Sequence, residues 1–152
     1  MAYIAGEARQ ELLDTLGEAI DDIAAALAAL AGAYEQLTTR PADRLEEELF
    51  GPVQAAYGRA KRTHVGFARR HDLPEREFTP APPGLPSTGV RGFVDSAVAS
   101  VAEADAVLAE LQDSMMPVEV GDPELRAGLA EVRDLLGDVR ARAREFTRTL
   151  GR

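Results

Sequence analysis

Phe50, Tyr57, His64 and His71 stand seven residues apart in the stretch FGPVQAAYGRAKRTHVGFARRH, and the last two are the only histidines of the chain. Seven residues return to the same side of an α-helix after two turns, so the four side chains form one column with neighbours about 10.5 Å apart along the axis. Imidazoles titrate near neutrality and bind metals through a free nitrogen. At that separation the two cannot share one ion, and a metal would need ligands from other helices. Carboxylate-bridged di-metal bundles supply them as inward-facing glutamates and Glu-x-x-His pairs. Here the positions three before the histidines hold Lys61 and Ala68, and no acid falls in the deep apolar columns of the other helices. A di-metal centre of that kind is not expected, and no metal ligand is assigned.

Other chemistries fail on equally specific residues. A phosphotransfer histidine on a helix is followed by lysine and glycine three and four residues on; Phe67 and Ala68 follow His64, and Pro74 and Glu75 follow His71. Helical Mg²⁺-dependent pyrophosphohydrolases need Glu-x-x-Glu on one helix and a further acidic pair on the next. The contiguous Glu46-Glu47-Glu48 lacks that spacing and reads as a solvated first turn, where the helix dipole favours acids. Neither a glycine-rich phosphate loop nor a nucleophile elbow nor a zinc motif occurs. With no acid, base and nucleophile to assemble, no catalytic residue is assigned, no cofactor is expected, and a non-catalytic protein is anticipated.

A binding role survives this elimination. If the helices alternate up and down, Arg69, Arg70, His71, Arg91, Arg142, Arg144 and Arg148 gather at one end of the molecule, crossed by a proline-rich link carrying Phe78 and Leu85. Tyr57, His64, His71 and Arg91 are then candidate residues for a small ligand, an anion or a metal. The competing expectation is structural: those arginines complement helix dipoles and pair with Glu7, Glu11 and Asp14, while the link plugs the bundle end.

The elements that must position these residues follow from periodicity. Apolar residues alternate at spacings of three and four in Leu13, Leu16, Ile20, Ile23, Leu27, Leu30, Tyr34 and Leu37, in Val90 through Met115, and in Leu125 through Leu150. A less regular series, Leu49, Val53, Ala56, Ala60 and Phe67, contains Gly51-Pro52, which predicts a kink near Phe50. The fold expected is all-α, an antiparallel up-down four-helix bundle in a single domain over 1–152, with helices at about 5–38, 42–72, 88–115 and 123–150. Asp122-Pro123-Glu124 reads as the N-cap and first turn of the last helix, and Ser87 or Thr88 as the cap of the third. A column of Arg126, Arg133 and Arg140 flanks the last seam opposite Asp105 and Gln112, the arrangement that selects helix partners. The link 73–87, with five prolines, is an extended strap or a crossover.

Composition narrows the partners. The 152 residues suit one domain, cysteine is absent, and the net charge of −9 argues against nucleic acid as a partner. The longest apolar run, Ile23 to Tyr34, is 12 residues of mostly alanine, too short to span a bilayer. The first residues lack the pattern of a secretory signal. A cytoplasmic protein without membrane contact is expected, and sixteen arginines against one lysine suggest a GC-rich bacterial genome. On the first helix, Ala25, Ala28, Ala29 and Gly32 form a small, apolar outer face on which another backbone could sit closely. The leading expectation is therefore a helical module acting through protein contact or self-association, a twofold homodimer being the default.

Overall fold

Alanine-rich sequence free of proline and glycine runs favours uninterrupted helix, and the computed structural model opens on one. It describes the backbone of residues 2–150 and the side chains of 6–150, and among these residues it contains helices and no strands. Helix α1 spans Ala2–Glu35, about 50 Å at 1.5 Å per residue. It closes through tight bonds from Gln36 N to Ala33 O and Leu37 N to Tyr34 O, short of the expected residue 38.

After α2 (Thr39–Leu45) the helix widens into a π-helical turn at Glu46–Phe50 and resumes as α3 (Gly51–Arg70). This is the predicted irregularity, and proline explains it. Pro52 has no N–H to give to the carbonyl of Glu48, four residues back. The preceding Gly51 N–H reaches Glu46 O in π register, and the orphaned Glu48 carbonyl accepts a long bond, 3.5 Å, from Arg142 Nη1. At its far end α3 stops in a Schellman closure: Asp72 is left-handed (φ 52°), Leu73 N donates to Ala68 O and Asp72 N to Arg69 O. Pro74 then forbids continuation.

A 3₁₀ turn at Pro86–Thr88 leads into α4 (Gly89–Asp113). Thr88 makes no side-chain cap. Left-handed Met115 (φ 64°) separates α4 from a five-residue helix, α5 (Met116–Val120), where only a short connection was expected. Met115 is consequently 53% exposed instead of closing the α4 seam. Asp122 caps α6 (Pro123–Leu136) as predicted, its Oδ1 accepting from Leu125 N at 2.9 Å. Gly137 and Asp138 interrupt the last helix, expected to be continuous, before α7 (Val139–Leu150).

Helix α1 packs along α4 and α3, α3 along α6, and α4 along α6 and α7. One apolar cluster draws on all of them, including Leu16, Ile23, Val53, Phe67, Leu108 and Val132. Arg133 joins α6 to α4 through Asp105 (2.9 Å) and Gln112 (2.9 Å), the pairing expected from the flanking column. No helix among the described residues is long and apolar enough to cross a membrane.

Candidate functional site

The link is the element that builds the site. It runs along α1 from about Gly17 to the C-terminal end of the helix. Arg76 Nη2 bonds both carboxylate oxygens of Asp21 at 2.8 Å, Ala81, Pro82 and Gly84 lie over Ala25, Ala28 and Ala29, and Gln36 Nε2 donates to Pro86 O at 2.8 Å. The fifteen residues from Asp21 to Gln36 measure about 22 Å of helix, covered by ten link residues at roughly 2.2 Å each, an extended but not taut chain.

This path accounts for the small-residue face of α1. A Cβ at Gly32 would stand 2.8 Å from the Phe93 ring, so only glycine admits the start of α4 there. Ala29 is buried and Ala25 and Ala28 are half-covered. The four residues read from sequence as an interface are thus brought together, and the chain's own link and α4 lie against them.

The histidine column is split. Phe50 lies half-buried beside Ala31, Tyr34 and Glu35. His71 closes the far end of α3, its Nε2 2.9 Å from Asp122 Oδ2, while Arg70 holds the same carboxylate through Nε (3.0 Å) and Nη2 (2.9 Å) and reaches Glu124 at 2.8 Å. Burial works to raise the Asp122 carboxyl, but the Leu125 N–H, His71 and Arg70 outweigh it and hold the acid below its ordinary range. That cluster joins the end of α3 to the start of α6, and its groups are mutually satisfied. Arg91 is not part of it. Its Nη2 reaches the Thr147 carbonyl (3.3 Å) near the end of α7, because the link carries the start of α4 to the Gly32 end of α1. The expected single basic end is therefore divided, Arg69, Arg70 and His71 at one end and Arg91 with the α7 arginines at the other.

Tyr57 and His64 remain, and their surroundings are unusual. Both are buried, at 8% and 2% exposure. Among the described residues three buried side-chain nitrogen or oxygen atoms lack a hydrogen-bond partner, Arg9 Nε, Tyr57 Oη and His64 Nδ1, so two of the three belong to this column. Burial, reinforced by the neighbouring Arg76, pushes the His64 pKa down, against a weaker pull from Asp14, and favours the neutral ring. Burial and then the Asp21 charge push the Tyr57 hydroxyl up. Lys61 Nζ sits 4.1 Å over the Tyr57 ring. From the link, Phe78 meets His64 edge-on (centroids 4.9 Å apart, planes at 85°), and the Arg76 guanidinium stacks 4.5 Å over Phe78.

Beside this stack opens a cleft of about 270 Å³. Gln10, Leu13, Asp14 and Gly17 of α1, His64 of α3, and Pro74, Glu75 and Arg76 of the link form its walls. Gly17 is the point of convergence: a Cβ there would stand 3.0 Å from Arg76 Nη1, 3.8 Å from Phe78 and 3.9 Å from His64 Nε2. Gly17, Glu75 and Arg76 were not singled out by sequence reasoning, and Asp14 was expected only as an ion-pair partner of the basic end. A signal existed in the spacing of Asp14, Gly17 and Asp21, which places two acids and a gap on one face of α1. The side chains here can accept and donate hydrogen bonds and present charge. No group of three or more His, Asp or Glu side chains able to hold a metal converges among the described residues.

Comparison with protein-family models, with curated proteins and with solved structures finds no match for this chain.

Proposed function

We propose that the chain is a small-molecule-binding four-helix bundle whose site is the cleft between α1, α3 and the link. In the proposed wiring α1 runs up, α2 with α3 down, α4 down again, and α6 with α7 up, so that neighbours are antiparallel and one long crossover joins the second and third arms, as some bundles do. The neighbours Gly17 and His64, Gly32 and Phe93, Arg70 and Asp122, and Arg91 and Thr147 support that order over a simple up-down alternation.

One observation carries the binding reading. His64 is almost wholly buried, its Nδ1 has no partner, and its ring forms a wall of a polar cleft. Buried polar groups in folded proteins are partnered in the great majority of cases, and ligand sites are where such vacancies gather with converging polar groups. Self-association through the α1 face has less support, since the link already lies over it.

Native mass spectrometry of gently purified protein tests this. The expected result is a monomer carrying one small organic mass, absent from His64→Phe. A dimer of bare chains would favour the protein-contact reading instead. A bare monomer that no compound stabilises in a thermal-shift screen would remove the binding reading.

A further inference from the structure

We propose that the cleft accepts a small organic cation bearing N–H groups, a primary ammonium or an amidinium, held between the Asp14 carboxylate and the His64 imidazole. The inference rests on the cleft being a ligand site and adds the chemistry of its occupant.

The charges around the cleft decide the sign. Arg76 is neutralised by both oxygens of Asp21 at 2.8 Å. Glu75 is neutralised by Arg69, at 3.2 and 3.3 Å. Asp14 is different: its Oδ1 accepts from the Gln10 amide at 2.8 Å, a neutral donor, and among the described residues no arginine or lysine pairs with it. One negative charge in the cleft wall is therefore uncompensated. An anion entering here meets that charge, and the Arg76 guanidinium in the wall already gives its Nη2 to Asp21.

Hydrogen-bond vacancies decide the shape. A neutral imidazole presents one lone pair and one N–H; burial with Arg76 nearby keeps His64 in that form, and a proton on the buried Nδ1 leaves the lone pair on Nε2, the nitrogen nearest Gly17. The Asp14 carboxylate has a second oxygen with acceptor capacity. Two acceptors of this kind suit a group with several N–H donors and a positive charge. The volume, about 270 Å³, lies just below the range of roughly 300–1,000 Å³ typical of drug-sized ligands and has room for roughly nine water-sized groups at about 30 Å³ each, which suits a small occupant. Gly17 itself adds no side chain to this wall, and the Arg76 guanidinium comes within 3.0 Å of where its Cβ would stand, beside His64 Nε2.

The experiment is an NMR titration of the full chain above neutral pH, reading the imidazole resonances of His64 with His71 as the internal control. Three probes are added at matched ionic strength: butylammonium, tetramethylammonium and butyrate. Butylammonium is expected to shift His64 at millimolar concentration and leave His71 still. Asp14→Asn, an exposed position, is expected to weaken that response about five- to tenfold, the scale of one charge-assisted contact. Tetramethylammonium acting as strongly as butylammonium overturns the role of N–H donors to His64. A butyrate response equal to or larger than that of butylammonium overturns the cation class while leaving the cleft a ligand site. Silence of His64 towards butylammonium also overturns the proposal, and the cleft as a ligand site is then judged separately by the native mass measurement.

Discussion

Gly128→Ala tests how closely α3 and α6 approach. A Cβ at this position would stand 2.3 Å from Thr63 Oγ1, 2.7 Å from its Cγ2 and 3.0 Å from its Cβ. Carbon atoms in contact settle at about 3.5–4.0 Å, so the added methyl overlaps Thr63 by roughly an ångström. Turning the Thr63 side chain gives no relief, because its Cβ is itself too near. Its hydroxyl is also committed, donating to Arg59 O at 2.9 Å and accepting from Arg59 Nη1 at 2.9 Å. The two helices must therefore part along a seam that buries Val53, Ala60, Phe67, Leu125 and Leu129. Overpacking of this kind costs about 1–3 kcal/mol, and the better helix propensity of alanine returns up to about 1 kcal/mol. The net expectation is a loss of about 1–2 kcal/mol, or a fall in Tm of roughly 2–8 °C for a chain of this size. Urea and thermal unfolding followed by circular dichroism read this directly. In a Thr63→Ala background the two closest clashing atoms are gone and only the 3.0 Å approach to Cβ remains, so the same substitution should cost clearly less, a coupling of about 1 kcal/mol. Equal effects in both backgrounds would falsify the close α3–α6 contact.

Leu108→Ala removes a fully buried α4 side chain and should lower the unfolding free energy by about 2–5 kcal/mol; a loss under about 1 kcal/mol in urea titration places Leu108 outside the core. The folded chain holds His64 neutral with its pKa below the ordinary 6.5, whereas the unfolded chain takes up a proton as the pH falls through that value. Stability should therefore be insensitive to His64 above 6.5 and decline below it, and His64→Phe should flatten that decline in denaturation curves taken between neutrality and mild acid. Ala29→Glu sets a carboxylate at a buried position between α1 and the link; faster thermolysin cleavage at Phe78 or Leu85, with the oligomeric state unchanged, is the expected outcome, and an unchanged cleavage rate contradicts the docked link.

The seams were legible because periodicity reports directly on which face of a helix is dry. Val94, Ala97, Val101, Ala104, Leu108 and Leu111 on α4 and Leu125 through Phe146 on α6 and α7 are buried as the spacing demands. The exposed members of the series sit at helix ends. Tyr34 is 42% exposed because α1 closes at the next residue, and Met115 turns outward on a left-handed backbone. Periodicity carries no information about where a helix will stop within its last turn. The Gly51-Pro52 irregularity was legible because a missing N–H is a local fact.

The route of the link was not legible, and the expected grouping of Arg91 with His71 failed for that reason. Fifteen residues with five prolines can turn across one end of the molecule or run its length, and the choice decides whether Arg91 joins His71 or Thr147. It also decides what the alanine face of α1 is for. A face of small residues says that a backbone approaches closely, and it does not say whether that backbone belongs to the same chain.

Gly17 ties the fold to the proposed site. The Schellman closure at Asp72 and the proline after it turn the chain out of α3 beside α1, so Pro74, Glu75 and Arg76 form a wall facing Asp14 and His64. Arg76 then anchors to Asp21, one turn beyond Gly17, and stacks on Phe78, which covers His64. A side chain at residue 17 would meet the Arg76 guanidinium at 3.0 Å, a contact that a flexible arginine can yield to. A larger residue there would instead occupy the space between the Asp14 and His64 acceptors. The substitution that best separates folding from binding is therefore Gly17→Leu. Its expected outcome is a cooperative unfolding transition close to that of the parent chain together with loss of the butylammonium response at His64. A chain that unfolds early without losing that response would mean that Gly17 serves the link alone.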